Sequence, residues 1–237
     1  MENSHNPPLK THNLILSVDT STKVCSVAIH ENGLLLANVE QFEENSHAER
    51  LALLIQEVCN IAKLKLHQID AFALAKGPGS YTGLRIGSST LKGLCFALEK
   101  PLIAIGTLRM MAEGMFQMAD DDTLVCPMID ARRMEVYTAV YDSKGNTILP
   151  EKAMIVDENS FSTLFAQHKI LFAGNGAEKC KPIFTNKNAH FVSDYHPFAK
   201  NMGELAFQSY KEKKFADVAY FEPEYLKEFY TTAKAKG

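Results

Sequence analysis

The chain has 237 residues, 46% of them hydrophobic and 22% charged, with no tryptophan and a formal net charge of −3. That length supports one large domain or two small ones with a sizeable core, and the composition is that of a soluble globular protein. It excludes a chain that grips nucleic acid through a general basic surplus, so contact with RNA requires a local patch or a partner; no apolar run is long enough to span a bilayer.

The polar start, MENSHNPPLKTHN, lacks the apolar h-region of a signal peptide, and residues 1–13 are expected to form a disordered tail. Three strands follow: NLILSVD ending at Asp19, Val24 to His30, and GLLLANVEQF from Gly33. Asn32-Gly33 is a two-residue hairpin signal, because both residues tolerate positive φ. The first two strands are joined by Asp19-Thr20-Ser21-Thr22. A helix is expected next, with Ser46 and Glu49 as a capping box and Leu51, Leu54, Ile55, Val58, Ile61 and Ala62 at helical spacing. Then come the apolar strand Ala71 to Ala75, a glycine-rich stretch, a helix to about Leu98 and the strand PLIAIG. Helices between short apolar strands predict parallel pairing in an α/β layer.

From about Thr123 the pattern partly repeats. TLVCPMID and MEVYTAVYD predict strands around Asp130-Ala131-Arg132-Arg133, and Ser143-Lys144-Gly145-Asn146 predicts a hairpin turn into TILPEKAMIV. Helix FSTLFAQH, strand KILFAG, loop Gly174-Asn175-Gly176-Ala177, strand HFVS and one long helix, PFAKNMGELAFQSYKEKKF, complete the chain. The five cysteines show no CxxC pair, and their odd number and wide spacing predict free core thiols in a reducing, cytoplasmic setting.

The stretch KGPGSYTGLRIGSS, Lys76 to Ser89, suggests phosphate binding first. A P-loop needs a lysine and a hydroxyl directly after its last glycine, but Leu84-Arg85 follows Gly83. The dinucleotide fingerprint fails too: after Gly77-Pro78-Gly79 the third glycine, Gly83, comes one place late. An anion at the helix N-terminus stays open as one alternative. The other is packing. Gly77 and Gly79 free a tight turn and Pro78 fixes one φ. Thr82, Ile86, Ser89, Gly93 and Ala97 form one small stripe, and Gly83, Gly87, Thr90 and Leu94 form its neighbour. Each interior glycine costs about 1 kcal/mol against alanine, which makes sense where another segment must approach closely.

These segments resemble the TsaB (YeaZ) family of bacterial tRNA threonylcarbamoyladenosine biosynthesis proteins. KGPGSYTGLRIGSSTLKGLCFAL is the most specific match, and VDTST with its hairpin, SHAERLALLI, DARRMEVYTAVYD and EPEYL follow the same order from about Leu14 to Leu226. The resemblance implies an α/β, actin-like (Hsp70/sugar-kinase type) fold with two related βββαβαβ-like subdomains. These are residues 14–108, with partner-binding helices, and 109–226, with 227–237 as a flexible tail. It also implies a scaffold without chemistry of its own. Such a protein binds a TsaD-type transferase, is joined by a TsaE-type ATPase, forms homodimers and meets tRNA only through the complex.

The helices at about Ser46 to Leu64 and Thr82 to Leu98 are the implied partner interface, with Leu51, Leu54, Val58, Ile86, Ser89, Thr90, Gly93 and Leu94 as its residues. Leu53 and Ile61 lie off the Leu51 side, so one side can cover the sheet while another meets a partner. The signature segment itself is Gly77, Pro78, Gly79, Gly83, Arg85 and Gly87.

TsaD-type proteins hold a metal through H-x-x-x-H on the first helix. Here His47 is followed at the fourth position by Leu51, so no metal site and no catalytic residue is expected, and His47 reads as a surface or cap residue. ATP or ADP and metal are expected in the partner subunits. Asp19, Thr20 and Ser21 stand where actin-like ATPases place their first phosphate loop, but without its glycine. With Gly174 and Gly176 they are a candidate vestigial nucleotide site, or simply turns. Asp130 and Arg132 either form a small charged site or close a turn. An actin-like ATPase or small-molecule kinase would need the missing phosphate loop, and a metal-dependent peptidase the missing second histidine.

Overall fold

The computed structural model describes residues 12–42 and 47–226; Ser46, residues 1–11 of the expected N-terminal tail and the C-terminal tail 227–237 lie outside them. Two five-stranded sheets carry the fold. The first holds β1 (Leu14–Asp19), β2 (Cys25–Glu31), β3 (Leu34–Gln41), β4 (Ala71–Gly77) and β5 (Leu102–Gly106), in the order β3-β2-β1-β4-β5. The second holds β6 (Thr123–Asp130), β7 (Glu135–Tyr141), β8 (Thr147–Ile155), β9 (Lys169–Ala173) and β10 (Ala189–Val192), in the order β10-β9-β6-β7-β8.

Taken from opposite ends, the two orders are the same. In each sheet the first three strands pair antiparallel and the fourth and fifth add in parallel beyond the first. The duplicated α/β architecture expected from the resemblance is therefore present strand for strand. The apolar runs of β1 and β4 are buried on both faces, as parallel strands between helical layers must be. The β2–β3 turn takes φ of 50° at Asn32 and 87° at Gly33, as the hairpin signal requires.

The helices differ between the halves. In the first, α1 (His47–Ile61) and α2 (Tyr81–Leu98) lay Leu51, Leu54, Val58, Leu91 and Cys95 on Leu16, Val27, Ile29 and Phe72. In the second, the expected helix FSTLFAQH is a single turn, α4 (Ser162–Phe165), and only a 3₁₀ turn at Glu178–Cys180 separates β9 from β10. Phe161, Phe165, Phe172 and Phe184 fill the space instead, with ring centroids such as Phe172–Phe184 5.1 Å apart. Aromatic bulk there replaces helical bulk.

Two further helices exchange faces. An unpredicted helix, α3 (Thr107–Phe116), leaves β5 without a break and packs Leu108, Met111 and Met115 on Val125, Ile129 and Tyr141 of the second sheet. The expected subdomain boundary between residues 108 and 109 lies within it. The expected long C-terminal helix divides into a 3₁₀ turn, Ala199–Met202, and α5 (Gly203–Lys211). Met202 and Ala206 return to the first sheet and cover Ile15, Ala71, Ala73 and Ile103. All five cysteines are free and buried, and burial pushes thiols such as Cys126 up to about 12, so they are core residues.

Candidate functional site

The β1–β2 turn is closed by the chain itself. Asp19, Thr20, Ser21 and Thr22 are all buried, Asp19 completely. The Asp19 Oδ1 accepts the Ser21 N–H at 3.1 Å, the Asx bond expected of a turn. The start of α2 lies directly on this turn: Thr20 Oγ1 donates to the Gly83 carbonyl at 2.7 Å, and the Ser80 N–H donates to the Ser21 carbonyl at 2.6 Å.

Contact this close leaves no room for side chains at the glycines that face the turn. A Cβ at Gly83 would land on the Thr20 carbonyl oxygen and one at Gly79 on the Ser21 carbonyl oxygen, while one at Gly87 would lie 2.5 Å from Thr20 Oγ1. The opening glycines therefore serve an internal helix-on-turn contact. Ser80, which sequence reasoning passed over, caps α2 by accepting the Gly83 N–H at 3.2 Å. Its signal was a serine directly ahead of the helical run.

Burial pushes the Asp19 carboxyl up to about 7, against the pull of the Ser21 backbone N–H. Its Oδ2, the Ser21 hydroxyl and His47 Nδ1 have no partner among the described residues. Of the two expected places for His47, surface or cap, the surface is excluded. It is buried at the head of α1, where its Nε2–H donates to the Thr22 carbonyl at 2.7 Å and so ties α1 to the same turn. Leu51, one helical turn on, is buried in the core. Among the described residues no group of three or more His, Cys, Asp or Glu side chains is arranged to hold a metal.

The C-terminal EPEYL segment holds the other end of the signature. The Glu224 N–H donates to the Lys76 carbonyl at 2.7 Å, and the Lys76 ammonium pairs with the Glu224 carboxylate at 2.5 Å. Arg85 Nε donates to the Tyr225 hydroxyl at 3.3 Å and its guanidinium lies 4.3 Å above the Tyr81 ring, which packs 4.8 Å from the Tyr225 ring.

The second sheet repeats the arrangement in the open. Asp130 ends β6 as Asp19 ends β1, and its Oδ1 accepts the Arg132 N–H at 2.9 Å. Gly174-Asn175-Gly176 follows β9 as Gly77-Pro78-Gly79 follows β4. A Cβ at Gly176 would lie 2.8 Å from the Ile129 carbonyl carbon, and the Asn175 side chain accepts the Asp130 N–H at 2.9 Å. Asp130 remains exposed, bound by the Lys179 ammonium, which also donates to the Arg133 and Glu135 carbonyls at 2.7 and 2.6 Å. Lys179 carried no sequence signal, being 49 residues away. The two parts of the candidate nucleotide site therefore stand at different places in the repeat: Asp19, Thr20 and Ser21 after the first strand of one sheet, Gly174 and Gly176 after the fourth strand of the other.

Of the expected interface residues, Leu51, Leu54 and Val58 are spent on the first sheet. Ile86 and Leu94 are half-buried against it, Thr90 is half-buried, and Ser89 and Gly93 are exposed. Nothing lies within 4 Å of a Cβ built on Gly93. The outer faces of α1 and α2 instead carry Leu53, Ile61 and Phe96, which are 53%, 55% and 84% exposed.

A family model described as "TsaD: tRNA N6-adenosine threonylcarbamoyltransferase" matches residues 39–235. The "tRNA threonylcarbamoyladenosine biosynthesis protein TsaB" of Haemophilus influenzae is 32% identical over 231 residues, which are 94% of this chain and 97% of that protein. The solved structure of YeaZ from Pseudomonas aeruginosa superposes with a TM-score of 0.75 at 26% identity, over 90% of this chain and 100% of its own. The activator of 2-hydroxyisocaproyl-CoA dehydratase from Clostridium difficile, solved with bound ADPNP, has a TM-score of 0.52 at 11% identity, over 86% and 97% of the two chains. That last likeness concerns the actin-like fold alone.

Proposed function

Because this chain belongs to the TsaB family of tRNA threonylcarbamoyladenosine biosynthesis proteins, we propose that it acts as a non-catalytic partner of a TsaD-type transferase. With a TsaE-type ATPase, that transferase forms threonylcarbamoyladenosine beside the anticodon of tRNAs reading codons that begin with A. The observation that supports a silent role is the sealed β1–β2 turn. The volume next to it, where an actin-like ATPase would seat phosphate, is taken up by the chain's own α2, fixed by the Thr20–Gly83 and Ser80–Ser21 hydrogen bonds. Entry of a nucleotide there would break both bonds and lift an 18-residue helix off its sheet.

In this reading α1 and α2 use their inner faces for the fold and their outer faces for assembly. Leu53, Ile61 and Phe96, with the small residues Ser89 and Gly93 between, meet helices of the transferase, and in its absence those of a second copy. Large apolar side chains beside small ones suit close helix packing. The protein carries no cofactor of its own; ATP or ADP and metal belong to the partners, and tRNA is met only within the complex in the cytoplasm. Among the described residues no helix is long and apolar enough to cross a membrane.

The test combines assembly with titration. Calorimetry of the isolated chain with ATP-magnesium should give no binding heat, and Phe96→Asp should weaken assembly with the transferase by roughly tenfold or more at unchanged Tm. Clear ATP binding abolished by Asp19→Asn, or assembly indifferent to Phe96→Asp and Leu53→Asp together, would overturn the proposal.

A further inference from the structure

The β6–β7 turn contains an anomaly that neither the fold nor the family assignment uses. Arg132 and Arg133 are consecutive non-glycine residues with φ of 70° and 48°. Left-handed backbone is unfavourable for any residue with a Cβ, and asparagine and glycine adopt it most readily. The same molecule follows that preference at its β2–β3 turn, where Asn32 and Gly33 take φ of 50° and 87°. At β6–β7 it places arginine twice instead.

Hydrogen bonds and ion pairs of the two side chains do not offset this strain, though the charge of Arg132 acts on the Tyr137 hydroxyl. Both are exposed, and neither guanidinium makes a hydrogen bond or ion pair among the described residues. The nearby acid does not neutralise them, because Asp130 is held by Lys179. Their backbone is rigidly supported: the Ala131 N–H donates to the Glu135 carbonyl at 3.0 Å and the Glu135 N–H to the Arg132 carbonyl at 3.1 Å. Lys179 braces the Arg133 carbonyl from below at 2.7 Å. Backbone strain that the surrounding structure enforces is a mark of a functional position. Here it fixes the directions in which two arginine side chains leave the tip of the hairpin, on a chain whose net charge is −3.

We propose that the Arg132–Arg133 tip is a phosphate-contact site, through which this chain adds backbone contacts to the tRNA held by the assembled complex. This rests on the function proposed above. Guanidinium forks suit phosphate oxygens in pairs, and a negatively charged chain that works beside RNA needs such a local patch. The tip takes RNA by its phosphates and not by its sequence. Met134 and Ile155, 39% and 74% exposed, lie beside the tip; an acidic protein surface would use them as anchors, and that is the competing outcome.

The turn supplies its own control. Arg132→Asn with Arg133→Gly removes both charges while giving the backbone the residues it favours, so this variant folds at least as stably as the parent. Binding of fluorescent tRNA to the complex of the full chain with its TsaD-type transferase is measured by anisotropy across a salt series. The variant should bind about tenfold more weakly at low salt, and the slope of log K against log salt should fall by about 1 to 2. Arg132→Lys with Arg133→Lys should keep most of the slope, and assembly with the transferase should be unchanged throughout. Unchanged tRNA affinity and slope in a complex that assembles would overturn the phosphate site alone. Loss of assembly would overturn it in favour of a protein contact. Failure of the parent chain to assemble would overturn the function on which it rests, and the site with it.

Discussion

The β1–β2 and β6–β7 turns occupy the same place in two sheets of one topology. Each opens on an aspartate whose Oδ1 accepts the N–H two residues on, and each is met by a glycine turn from the fourth strand of its sheet. Yet Asp19 is wholly buried and Asp130 is exposed. Topology brings the fourth-strand turn down on the end of the first strand in both halves. The segment just after that turn makes the difference: an 18-residue helix in the first half, a three-residue 3₁₀ turn in the second. The same local chemistry therefore makes a sealed loop on one side and an open, charged tip on the other.

The sharpest way to break this contrast is Gly83→Ala. Its Cβ would strike the Thr20 carbonyl, a backbone atom that cannot swing aside. A loss of more than about 4 kcal/mol is expected, enough to leave a marginally stable protein largely unfolded in a urea titration. A variant with parental stability would mean that the helix does not rest on the turn.

Next comes the acid at the centre. Burial pushes the Asp19 carboxyl up to about 7, against an unfolded value of about 4. Below about pH 4 both states hold the proton and nothing is lost. As pH rises from about 4 to 7 the unfolded chain ionises first, so stability falls by roughly 4 kcal/mol and is lowest above pH 7. Asp19→Asn should abolish that fall and raise Tm more at pH 8 than at pH 5. The matching Asp130→Asn change removes only a surface pair, worth at most about 1 kcal/mol. Equal pH profiles for the two variants would erase the distinction between sealed and open turns.

Smaller effects separate the faces of α2. Gly87→Leu forces a side chain toward Thr20 Oγ1 and should lower stability by about 1–3 kcal/mol, with partner affinity suffering only secondarily. Gly93→Ala meets open space, so thermal melting should show a gain of up to about 1 kcal/mol. If Gly93 lies under the transferase's helices, the same change weakens assembly while stabilising the monomer. A loss of stability at Gly93 would contradict the open face.

Much of this was legible because local rules govern it. The strands of both sheets announced themselves as apolar runs between turn residues, and Asn32-Gly33 named its hairpin. The missed helix α3 follows β5 directly, its N-cap is Gly106 with no side-chain bond, and Gly114 interrupts its run, so nothing local marked its start. The shrunken α4 had helix-compatible residues, but the phenylalanines around it already fill the layer. The glycines of α2 signal a device for close approach, whereas the thing approached, Thr20, is 63 residues away from Gly83. Periodicity carries no information at that distance. The place of His47, surface or cap, was not legible for the same reason, since the Thr22 carbonyl that buries it is 25 residues earlier.

The return of α5 to the first sheet bears on how this protein is made. Met202 and Ala206 cover Ile15, Ala71, Ala73 and Ile103, but they leave the ribosome roughly a hundred residues after β5, at translation rates of about 5–20 residues per second. For some seconds the nascent first half therefore shows an apolar sheet face that, of its later cover, has only Met110 of α3. Such a surface is a target for chaperones and a nucleus for aggregation. The first half cannot finish folding ahead of the second, and a fragment ending near residue 108 would carry that bare face permanently.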